Sequence, residues 1–489
     1  MRTLVIGIII SVLAPLAAGQ EQPLPTSPTP AVKLEDKLRE NVAASETSLA
    51  DQTDIAVTAY NNNLALVRDR RKVKLLPGEQ TLKFMDVAQQ IRPETVSLRS
   101  VSAPGSLQIL EQNYEYDLMS PAKLMEKFVG KEVRLVNFSK EIGFTEVFAE
   151  LLSVHEGPIY RVNNEIFLGH PGNVVLPEIP ENLIAKPSLI WLVDNDATDQ
   201  EIEAGYLTGG IEWRADYVLT LAKSEESLDV AGWVTLNNQS GAQYTNAQLK
   251  LVAGEVNIVQ EMLYAELAAE VMPKRAMAPP PMREEAFAEY HLYTLPRRTT
   301  IKQNQSKQVS LLTASGVNVQ KQYEFRGDVS FYSQKFGPLK DQKVGVFLKF
   351  ANKEANHMGM PLPAGIMRIY QEDSDGMLQF AGEDRIQHTP KDEEVRLKLG
   401  NAFDVVGERI QTDFRVIADN VFQCAYDVKV RNHKDKDITV DIVEPMPADW
   451  EILEKSHEYT KKDAHTAIFS VKVPKDGETV VKYRVQVRY

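Results

Sequence analysis

The sequence is poor in cysteine, since Cys424 is the single residue of that type among 489. One thiol cannot form an intramolecular disulfide, so a disulfide-stapled scaffold is excluded and stability must come from the burial of apolar side chains. Cys424 lies in the stretch VFQCAYDVKV, where it shares one face of an alternating strand with Phe422 and Tyr426. We therefore expect Cys424 to be a buried structural thiol rather than a reactive one.

The chain also lacks an excess of positive charge. The chain has 55 Lys and Arg residues against 68 Asp and Glu residues, which gives a formal net charge of -13 at pH 7. A protein that binds nucleic acid or adheres to an anionic membrane needs a basic surface that neutralises phosphate groups. The charge balance therefore argues against both kinds of partner.

Long apolar runs are confined to the N-terminus, which reads MRTLVIGIIISVLAPLAAGQEQ. Arg2 precedes an apolar run and small residues follow it, which predicts a secretory signal peptide over residues 1–19. An uncleaved anchor helix is the alternative, but the run from Leu4 to Leu13 is short for a bilayer span. We expect an exported protein, periplasmic or extracellular, with no transmembrane segment in the mature chain.

Catalytic signatures are missing as well. The sequence has no GxSxG elbow, no GxxxxGK[ST] phosphate loop, no GxGxxG turn and no HExxH zinc motif. Its eight histidines are scattered, and no two of them share one helical turn. These absences predict no cofactor and favour a non-enzymatic protein, although they do not exclude a site assembled from distant strands.

Alternation of apolar and polar residues dominates the chain from residue 54 onwards and predicts a mainly β, multi-domain protein. The predicted units are a Pro/Thr/Ser-rich linker at 20–53, an N-terminal β region at 54–205 with a small inserted β-barrel at about 118–180, a β-sandwich at 206–343 with a mobile insertion at about 261–290, and an immunoglobulin-like β-sandwich at 344–489. The prolines of PKRAMAPPPM place that insertion outside any regular strand.

The most regular alternation is in YLTGGIEWRADYVLTL. Trp213 and Tyr217 fall on one face of the predicted strand, and we interpret them as anchors in a core. Arg214 and Asp216 fall on the other face, where we interpret them as a surface or inter-sheet pair. Trp450, in ADWEIL, is interpreted as a further structural anchor.

Four stretches carry a resemblance to a known family: YLTGGIEWRADYVLTL, GWVTLNNQSGAQYTNAQLKLVAGEV, PLPAGIMRIYQED and VRNHKDKDITVDIVEPMPADWEIL. Together they resemble an uncharacterised bacterial family, a domain of unknown function related to the C-terminal domain of mucoidy inhibitor A proteins. The resemblance covers roughly residues 206–489, and more loosely the region from residue 54. It implies an exported, β-rich bacterial protein with an envelope or exopolysaccharide phenotype, and it supplies no active site.

Two acidic stretches raise the question of calcium. DNDATDQEIE, from Asp194 to Glu203, and QEDSDG, with Asp373 and Asp375, are both rich in oxygen ligands. Neither has the glycine and the bidentate glutamate at the positions that an EF-hand loop requires. Solvated turn acids are therefore the better interpretation of both stretches.

Soft ligands raise the question of copper. NHMGM places His357, Met358 and Met360 together, and thioether and imidazole groups suit Cu(I). The predicted insertion adds three methionines, Met272, Met277 and Met282. The competing interpretation is that Met360 leads into a structural turn, PLPAG, so no metal site is predicted and copper handling ranks third among the hypotheses.

A polysaccharide-active hydrolase with an acidic site is the alternative function. Glycoside hydrolysis needs two carboxylates roughly 5–10 Å apart beside a cleft. The candidate groups are Trp213 with Glu212 and Asp216, and Trp450 with Asp449 and Glu451. Neighbouring strand residues point to opposite faces, which favours core tryptophans with surface acids.

The leading hypothesis is an exported, non-enzymatic envelope protein that binds another protein or a surface polymer such as a polysaccharide. It rests on the sandwich-like units, the Pro/Met-rich insertion and the lack of a catalytic motif. The hydrolase is the alternative, and copper handling through Met and His is the third hypothesis.

Overall fold

The computed structural model describes residues 44–139, 143–169, 172–180, 183–184, 186–254, 256, 282–287 and 289–489. The predicted signal peptide and most of the predicted linker at 20–53 lie outside the described residues. Of the predicted insertion at 261–290, only 282–287, 289 and 290 are described, so that Met272 and Met277 also lie outside. None of the helices within the described ranges has the length and apolar character needed to span a bilayer.

One α-helix and thirty-one strands are present in the described residues. In chain order they are β1 (Ala44–Thr47), β2 (Gln52–Tyr60), β3 (Leu64–Lys74), β4 (Gly78–Met85), β5 (Ser97–Ser100), β6 (Leu107–Glu115), α1 (Pro121–Lys127), β7 (Glu132–Ser139), β8 (Gly143–Ser153), β9 (Ile159–Val162), β10 (Glu165–Leu168), β11 (Asn173–Val175), β12 (Ser188–Asn195), β13 (Asp199–Thr208), β14 (Ile211–Leu221), β15 (Ser227–Asn238), β16 (Tyr244–Ala253), β17 (Arg283–Phe287), β18 (Tyr290–Thr294), β19 (Thr299–Ile301), β20 (Gln305–Asn318), β21 (Gln320–Arg326), β22 (Leu339–Ala351), β23 (Gly365–Glu372), β24 (Leu378–Ile386), β25 (Glu394–Ala418), β26 (Val421–Asn432), β27 (Ile438–Pro445), β28 (Asp449–Lys455), β29 (Thr460–Asp463), β30 (Thr466–Val473) and β31 (Gly477–Arg488).

Alternating burial shows why these residues form strands. In β14 the side chains of Trp213, Ala215 and Tyr217 are buried, whereas those of Glu212 and Arg214 are exposed. A strand with this period of two packs one face on a core and leaves the other in water. The prediction of a mainly β protein built from several sheets is confirmed.

Three sheets supply most of the main hydrophobic core, and Leu348 of β22 and Leu397 of β25, from a further sheet, also belong to it. The four-stranded sheet has the order β1-β4-β12-β6, the eight-stranded sheet has the order β17-β18-β16-β2-β3-β13-β5 with β19 beside β16, and the main five-stranded sheet has the order β20-β15-β14-β23-β24. Trp191 of β12, Tyr206 of β13 and Tyr217 of β14 are each buried in this core. Shared burial therefore ties the N-terminal strands to those that follow.

Strand pairing joins segments that are distant in the sequence. β16 pairs in parallel with β2, placing Leu249 opposite Val57, and β14 pairs in parallel with β23, placing Ala215 opposite Gly365. At Gly365 a Cβ atom would overlap the carbonyl oxygen of Ala215, so this close approach requires glycine. The pairing thus crosses residues 205/206 and 343/344, where the sequence suggests unit boundaries.

The C-terminal sheet has nine strands in the order β28-β31-β26-β25-β22-β21-β27-β30-β29, and it encloses a second core. β30 and β31 belong to opposite halves of this order. Phe469 on β30 nevertheless stacks on Tyr483 of β31, with ring centroids 5.3 Å apart. The sheet therefore folds back on itself in a sandwich-like arrangement.

The small sheet is the inserted unit, with the order β10-β9-β8-β7-β11. Its inner face packs Leu135, Leu151 and Tyr160 around Phe128, which follows α1. The small barrel predicted at about 118–180 is not closed: β10 and β11 are opposite edges that do not pair with each other in the described residues. A barrel requires its edge strands to pair, and these two have only four and three residues.

Candidate interaction surface

The face of the small sheet opposite its core is built by the same alternation as the core. Phe138 on β7 lies opposite Phe144 on β8, and Arg134 lies opposite Phe148. Directly paired residues project to the same side of a sheet, and side chains two positions apart along a strand do so as well. These four side chains therefore leave the sheet together, away from buried Leu135.

The same outer side continues across the neighbouring strands. Arg161 on β9 lies opposite Glu150 of β8, and Ile166 on β10 lies opposite Arg161. Leu168 is two residues beyond Ile166 and projects to the same side. The aromatic face, as we name it, consists of Phe138, Phe144, Phe148, Ile166 and Leu168.

The aromatic face is open to solvent. Phe138 is 61% exposed, Phe144 78%, Phe148 59% and Leu168 85%, and the rings of Phe138 and Phe144 are 4.9 Å apart. Burying one large apolar side chain contributes about 1.5–3 kcal/mol, so the free protein forgoes several such gains here. Clustered apolar exposure of this kind makes the aromatic face a candidate interaction surface.

Two ion pairs cross the same face. Arg134 Nη1 lies 3.3 Å from Glu146 Oε2, and Arg161 Nη1 lies 2.6 Å from Glu150 Oε2. All four side chains are solvent-exposed, so each pair contributes only about 0–1 kcal/mol to stability. Their main effect is to neutralise charge among the apolar groups, which suits a face with polar groups interspersed among apolar anchors.

A shallow cavity of about 290 Å³ adjoins the aromatic face. Phe148 and Arg134 form part of its wall, together with Glu132, Val175 and Pro177. The cavity is an open recess rather than an enclosed ligand site, since it lies on the sheet surface.

The aromatic face was not predicted from the alternation of apolar and polar residues, although the sequences of β7 and β8 indicate it. VRLVNF in β7 and FTEVFAELL in β8 place apolar residues at both parities, not at alternate positions only. A strand with apolar residues on both faces is either buried on both sides or exposes one apolar side. The small size of the unit leaves exposure as the outcome for the outer side.

The aromatic residues singled out from the sequence lie in cores. Trp213 is 4% exposed, and Tyr217 is fully buried with its hydroxyl donating to Pro363 O at 2.8 Å. Trp450 is buried in the core of the C-terminal sheet, where its Nε1 donates to Ala464 O at 2.7 Å. Neither tryptophan forms an exposed platform for a sugar ring, and the neighbouring acids Glu212, Asp449 and Glu451 project to solvent.

Asp216 is the centre of a polar group on the outer face of the main five-stranded sheet. Its Oδ2 accepts a hydrogen bond from Thr235 Oγ1 at 2.8 Å and lies 3.3 Å from Arg214 Nε. Its Oδ1 lies 3.1 Å from Arg368 Nη1. The expected partner Arg214 is thus joined by Arg368, which the sequence does not suggest because the parallel pairing of β14 with β23 brings it there.

The residues considered as copper ligands have other contacts. His357 is exposed, and its Nδ1 lies 2.7 Å from Ser315 O. Met358 and Met360 pack against the main core, in which Met282 is buried. Within the described ranges, no three His, Cys, Asp or Glu side chains are grouped as a metal site would require.

The carboxylate of Asp373 is hydrogen-bonded to donors within its own turn and the strand that follows. Its carboxylate accepts hydrogen bonds from Gln379 Nε2 at 2.8 Å, from Met377 N at 2.9 Å and from Asp375 N at 3.0 Å. The hydrogen bond from Gln379 is the main reason why the pKa of Asp373 is lowered. These bonds stabilise the turn between β23 and β24.

Cys424 is buried in the C-terminal core, where its thiol contacts Tyr332 O at 3.6 Å. Burial raises the pKa of the thiol to about 11. The reactive thiolate is therefore scarce at neutral pH.

A second cavity, of about 200 Å³, lies between β18 and the PLPAG segment. At its edge His291 Nδ1 lies 2.8 Å from Glu284 Oε1, and the Tyr293 hydroxyl donates to Pro361 O at 3.0 Å. Its described lining has one carboxylate, that of Glu289, whereas glycoside hydrolysis needs two. The cavity does not provide the paired acids of the hydrolase hypothesis.

Comparison with known proteins gives one finding. The model of a family described as a domain of unknown function, DUF4139, matches residues 202–489. No curated protein matches the chain. The matched residues cover more than half of the chain and leave the small sheet, with its aromatic face, on the N-terminal side of the match.

Proposed function

We propose, from the premise that the chain belongs to the DUF4139 family, that it is an exported, non-enzymatic protein of the bacterial envelope that binds another protein through its aromatic face. The N-terminal sequence supports the export part of the proposal. The stretches that resemble mucoidy inhibitor A proteins support the envelope part. We also propose that the chain is related to those proteins.

The exposure of the aromatic face is the observation that supports partner binding. Three phenylalanines and two aliphatic side chains lie together on a sheet whose opposite face already has a complete core. Aromatic anchors of this kind dominate the binding energy of protein interfaces, because they bury a large area at a small cost in side-chain entropy. A folded protein surface with complementary recesses is the partner that such a face fits.

The experiment is cross-linking in intact cells, followed by recovery of the protein and mass spectrometry of what comes with it. The test variant carries Phe144→Ser and Phe148→Ser, both at exposed positions of β8. Loss of two apolar anchors should reduce recovery of the partner at least about tenfold. The same mass spectrometry reads the N-terminus of the recovered protein, which we expect to begin at residue 20 after removal of the signal peptide.

The matched control is Phe403→Ser. Phe403 is 95% exposed on β25 of the C-terminal sheet, so the change removes a ring that is more exposed than Phe144 or Phe148 and lies outside the aromatic face. Recovery from this variant should equal that from the unmodified protein. An equal loss in both variants, or no loss in the double variant, would contradict the proposed binding face.

A further inference from the structure

A cluster of arginines surrounds one carboxylate on the outer face of the eight-stranded sheet. Glu203 on β13 lies opposite Arg70 of β3 on one side and opposite Arg99 of β5 on the other. Arg68 is two residues before Arg70 and projects to the same side. The neighbouring residue Ala204 belongs to the main core, so the cluster faces away from it. We name Arg68, Arg70 and Arg99 with Glu203 the arginine cluster.

The three guanidinium groups converge on the two oxygens of Glu203. Arg70 Nε lies 2.6 Å and Arg68 Nη2 lies 3.3 Å from Oε2, while Arg99 Nη2 lies 2.6 Å and its Nε 3.1 Å from Oε1. Burial alone would raise the pKa of Glu203, but the hydrogen bonds from the arginines outweigh it and lower the pKa to about 2. Glu203 is therefore ionised at neutral pH and fixes the position of all three cations.

Most of the arginine donors remain unused. The Glu203 side chain is 7% exposed, whereas those of Arg68, Arg70 and Arg99 are 48%, 30% and 63% exposed. In the described part of the chain, Arg68 and Arg70 each give one N–H group to Glu203, out of five per guanidinium. Three positive charges facing one negative charge leave an excess of two on side chains that are 30–63% exposed.

Two further carboxylates, those of Asp54 and Glu201, lie near Arg70 and have cations beside them. Asp54 Oδ1 lies 2.6 Å from Arg298 Nη2, and Glu201, whose Oε1 accepts a hydrogen bond from Thr53 Oγ1 at 2.5 Å, is opposite Lys72 in the pairing of β13 with β3. The charges of Arg298 and Lys72 offset those of the two acids, so the excess positive charge of the arginine cluster remains available to a ligand. A guanidinium held in place by a buried carboxylate loses little entropy when it binds, and its planar fork matches a carboxylate.

We propose that the arginine cluster binds the carboxylate groups of an acidic polysaccharide. Arg68, Arg70 and Glu203 lie on interior strands β3 and β13, whose backbone groups are paired on both sides, whereas Arg99 lies on β5, a sheet edge of only four residues. An extended peptide gains much of its affinity by adding a strand at a sheet edge, and so short an edge offers few backbone groups for it, so recognition relies mainly on side chains. A polymer with carboxylates on successive sugars gains affinity by repeated contacts of the same kind.

The arginine cluster can bind a polyanion even though the protein as a whole is acidic. The formal charge of -13 disfavours polyanions in general, but the cluster concentrates three guanidinium groups around a single carboxylate within about two strand spacings. Screening at physiological salt limits repulsion from charges more than about 8 Å away. Local charge therefore decides the binding, and the site is independent of the aromatic face.

The test is biolayer interferometry with the purified chain immobilised and three soluble polymers of similar length: polygalacturonate, neutral dextran and poly-glutamate. We expect binding to polygalacturonate that weakens as salt rises, and none to dextran. Arg68→Gln with Arg99→Gln should lower the affinity for polygalacturonate at least about tenfold. Arg99→Lys, which keeps the charge but loses the fork, should fall between this variant and the unmodified protein.

The matched control is Arg415→Gln, which removes an arginine of equal exposure that pairs with Asp413 on the C-terminal sheet. Its affinity for polygalacturonate should be unchanged. The proposal is overturned if the unmodified protein does not bind polygalacturonate, or if the double variant binds it as tightly as the control. Equal affinity for poly-glutamate would also overturn it, since the ligand would then be an acidic peptide.

Discussion

Glu203 and Glu444 are both carboxylates held by arginine, the first on the outer face of the eight-stranded sheet and the second inside the C-terminal sheet. Arg409 Nη1 lies 2.6 Å from Glu444 Oε1, and both side chains are fully buried. Tyr332 donates its hydroxyl to Glu444 Oε2 at 2.9 Å. Glu203 has three arginines with spare donors in water, whereas Glu444 has one arginine and a tyrosine enclosed by the core.

The difference separates a charge cluster that is open to water, and that we propose as a binding surface, from a buried pair inside the fold. Burial raises the pKa of Tyr332, so its hydroxyl keeps the proton that it donates to Glu444. At Gly327 a Cβ atom would overlap Glu444 Oε2, so the chain closes over the pair without room for a ligand. An arginine–glutamate pair therefore leaves donors accessible to a ligand at Glu203 but not at Glu444, because only the arginines around Glu203 reach solvent.

The largest effect should come from breaking the buried pair with Glu444→Gln. The change leaves Arg409 charged in a core without its counter-ion, and uncompensated buried charge costs about 3–5 kcal/mol of unfolding free energy. Urea unfolding followed by tryptophan fluorescence measures this loss. A loss below about 1 kcal/mol would mean that water or another group compensates Arg409.

The control for that prediction replaces both partners, with Arg409→Met and Glu444→Leu. Removing the two charges together avoids the unpaired ion, and such replacements are often neutral or stabilising. The double variant should therefore recover most of the stability lost in Glu444→Gln. Failure to recover it would point to packing, rather than charge, as the cause of the loss.

Local pattern was enough to place single strands and their buried faces. Trp213 and Tyr217 could be assigned to one face of β14 because alternation is a property of neighbouring residues. RDRRK in β3 likewise contains Arg68 and Arg70 at positions of one parity. The sequence of β3 does not show that β13 supplies their partner, Glu203.

Long-range pairing decided what the sequence did not show. Arg99 meets Arg70 only because β13 lies between β5 and β3, and Glu203, in the stretch considered for calcium, supplies the carboxylate. Arg368 reaches Asp216 through the parallel pairing of β14 with β23. Register between strands far apart in the chain depends on packing of the whole core, which a single sequence read by local period does not contain.

An intermediate effect should come from Glu203→Gln. The amide keeps the shape but loses the charge that three arginines share, while water can solvate the exposed guanidinium groups. We expect a loss of about 1–2 kcal/mol in unfolding free energy at pH 7, smaller than that of Glu444→Gln. The same urea unfolding assay compares the two variants side by side, and equal losses would remove the distinction drawn from solvent access.

The pH dependence sharpens this test. The pKa of Glu203 in the folded protein is about 2, below the value of about 4.3 for an unfolded chain. Its stabilisation is therefore fully present above pH of about 4.3 and is lost as the pH falls toward 2. The difference in unfolding free energy between the unmodified protein and Glu203→Gln should shrink over that window, whereas a difference that stays constant would show that ionisation of Glu203 is not its cause.

The smallest effect should come from Arg134→Gln on the aromatic face, where one arginine meets one carboxylate in water. Arg134 and Glu146 are both about half exposed, so water replaces the lost contact on each side. We expect a loss of no more than about 0.5 kcal/mol at low salt and none at about 1 M salt, where the screening length is about 3 Å. A larger loss that persists in high salt would mean that the stem of Arg134 packs on Phe148 and supports the aromatic face. In that case the pair of Arg134 with Glu146 positions the ring of Phe148. Recovery of the partner with the Arg134→Gln variant should then fall together with the unfolding free energy.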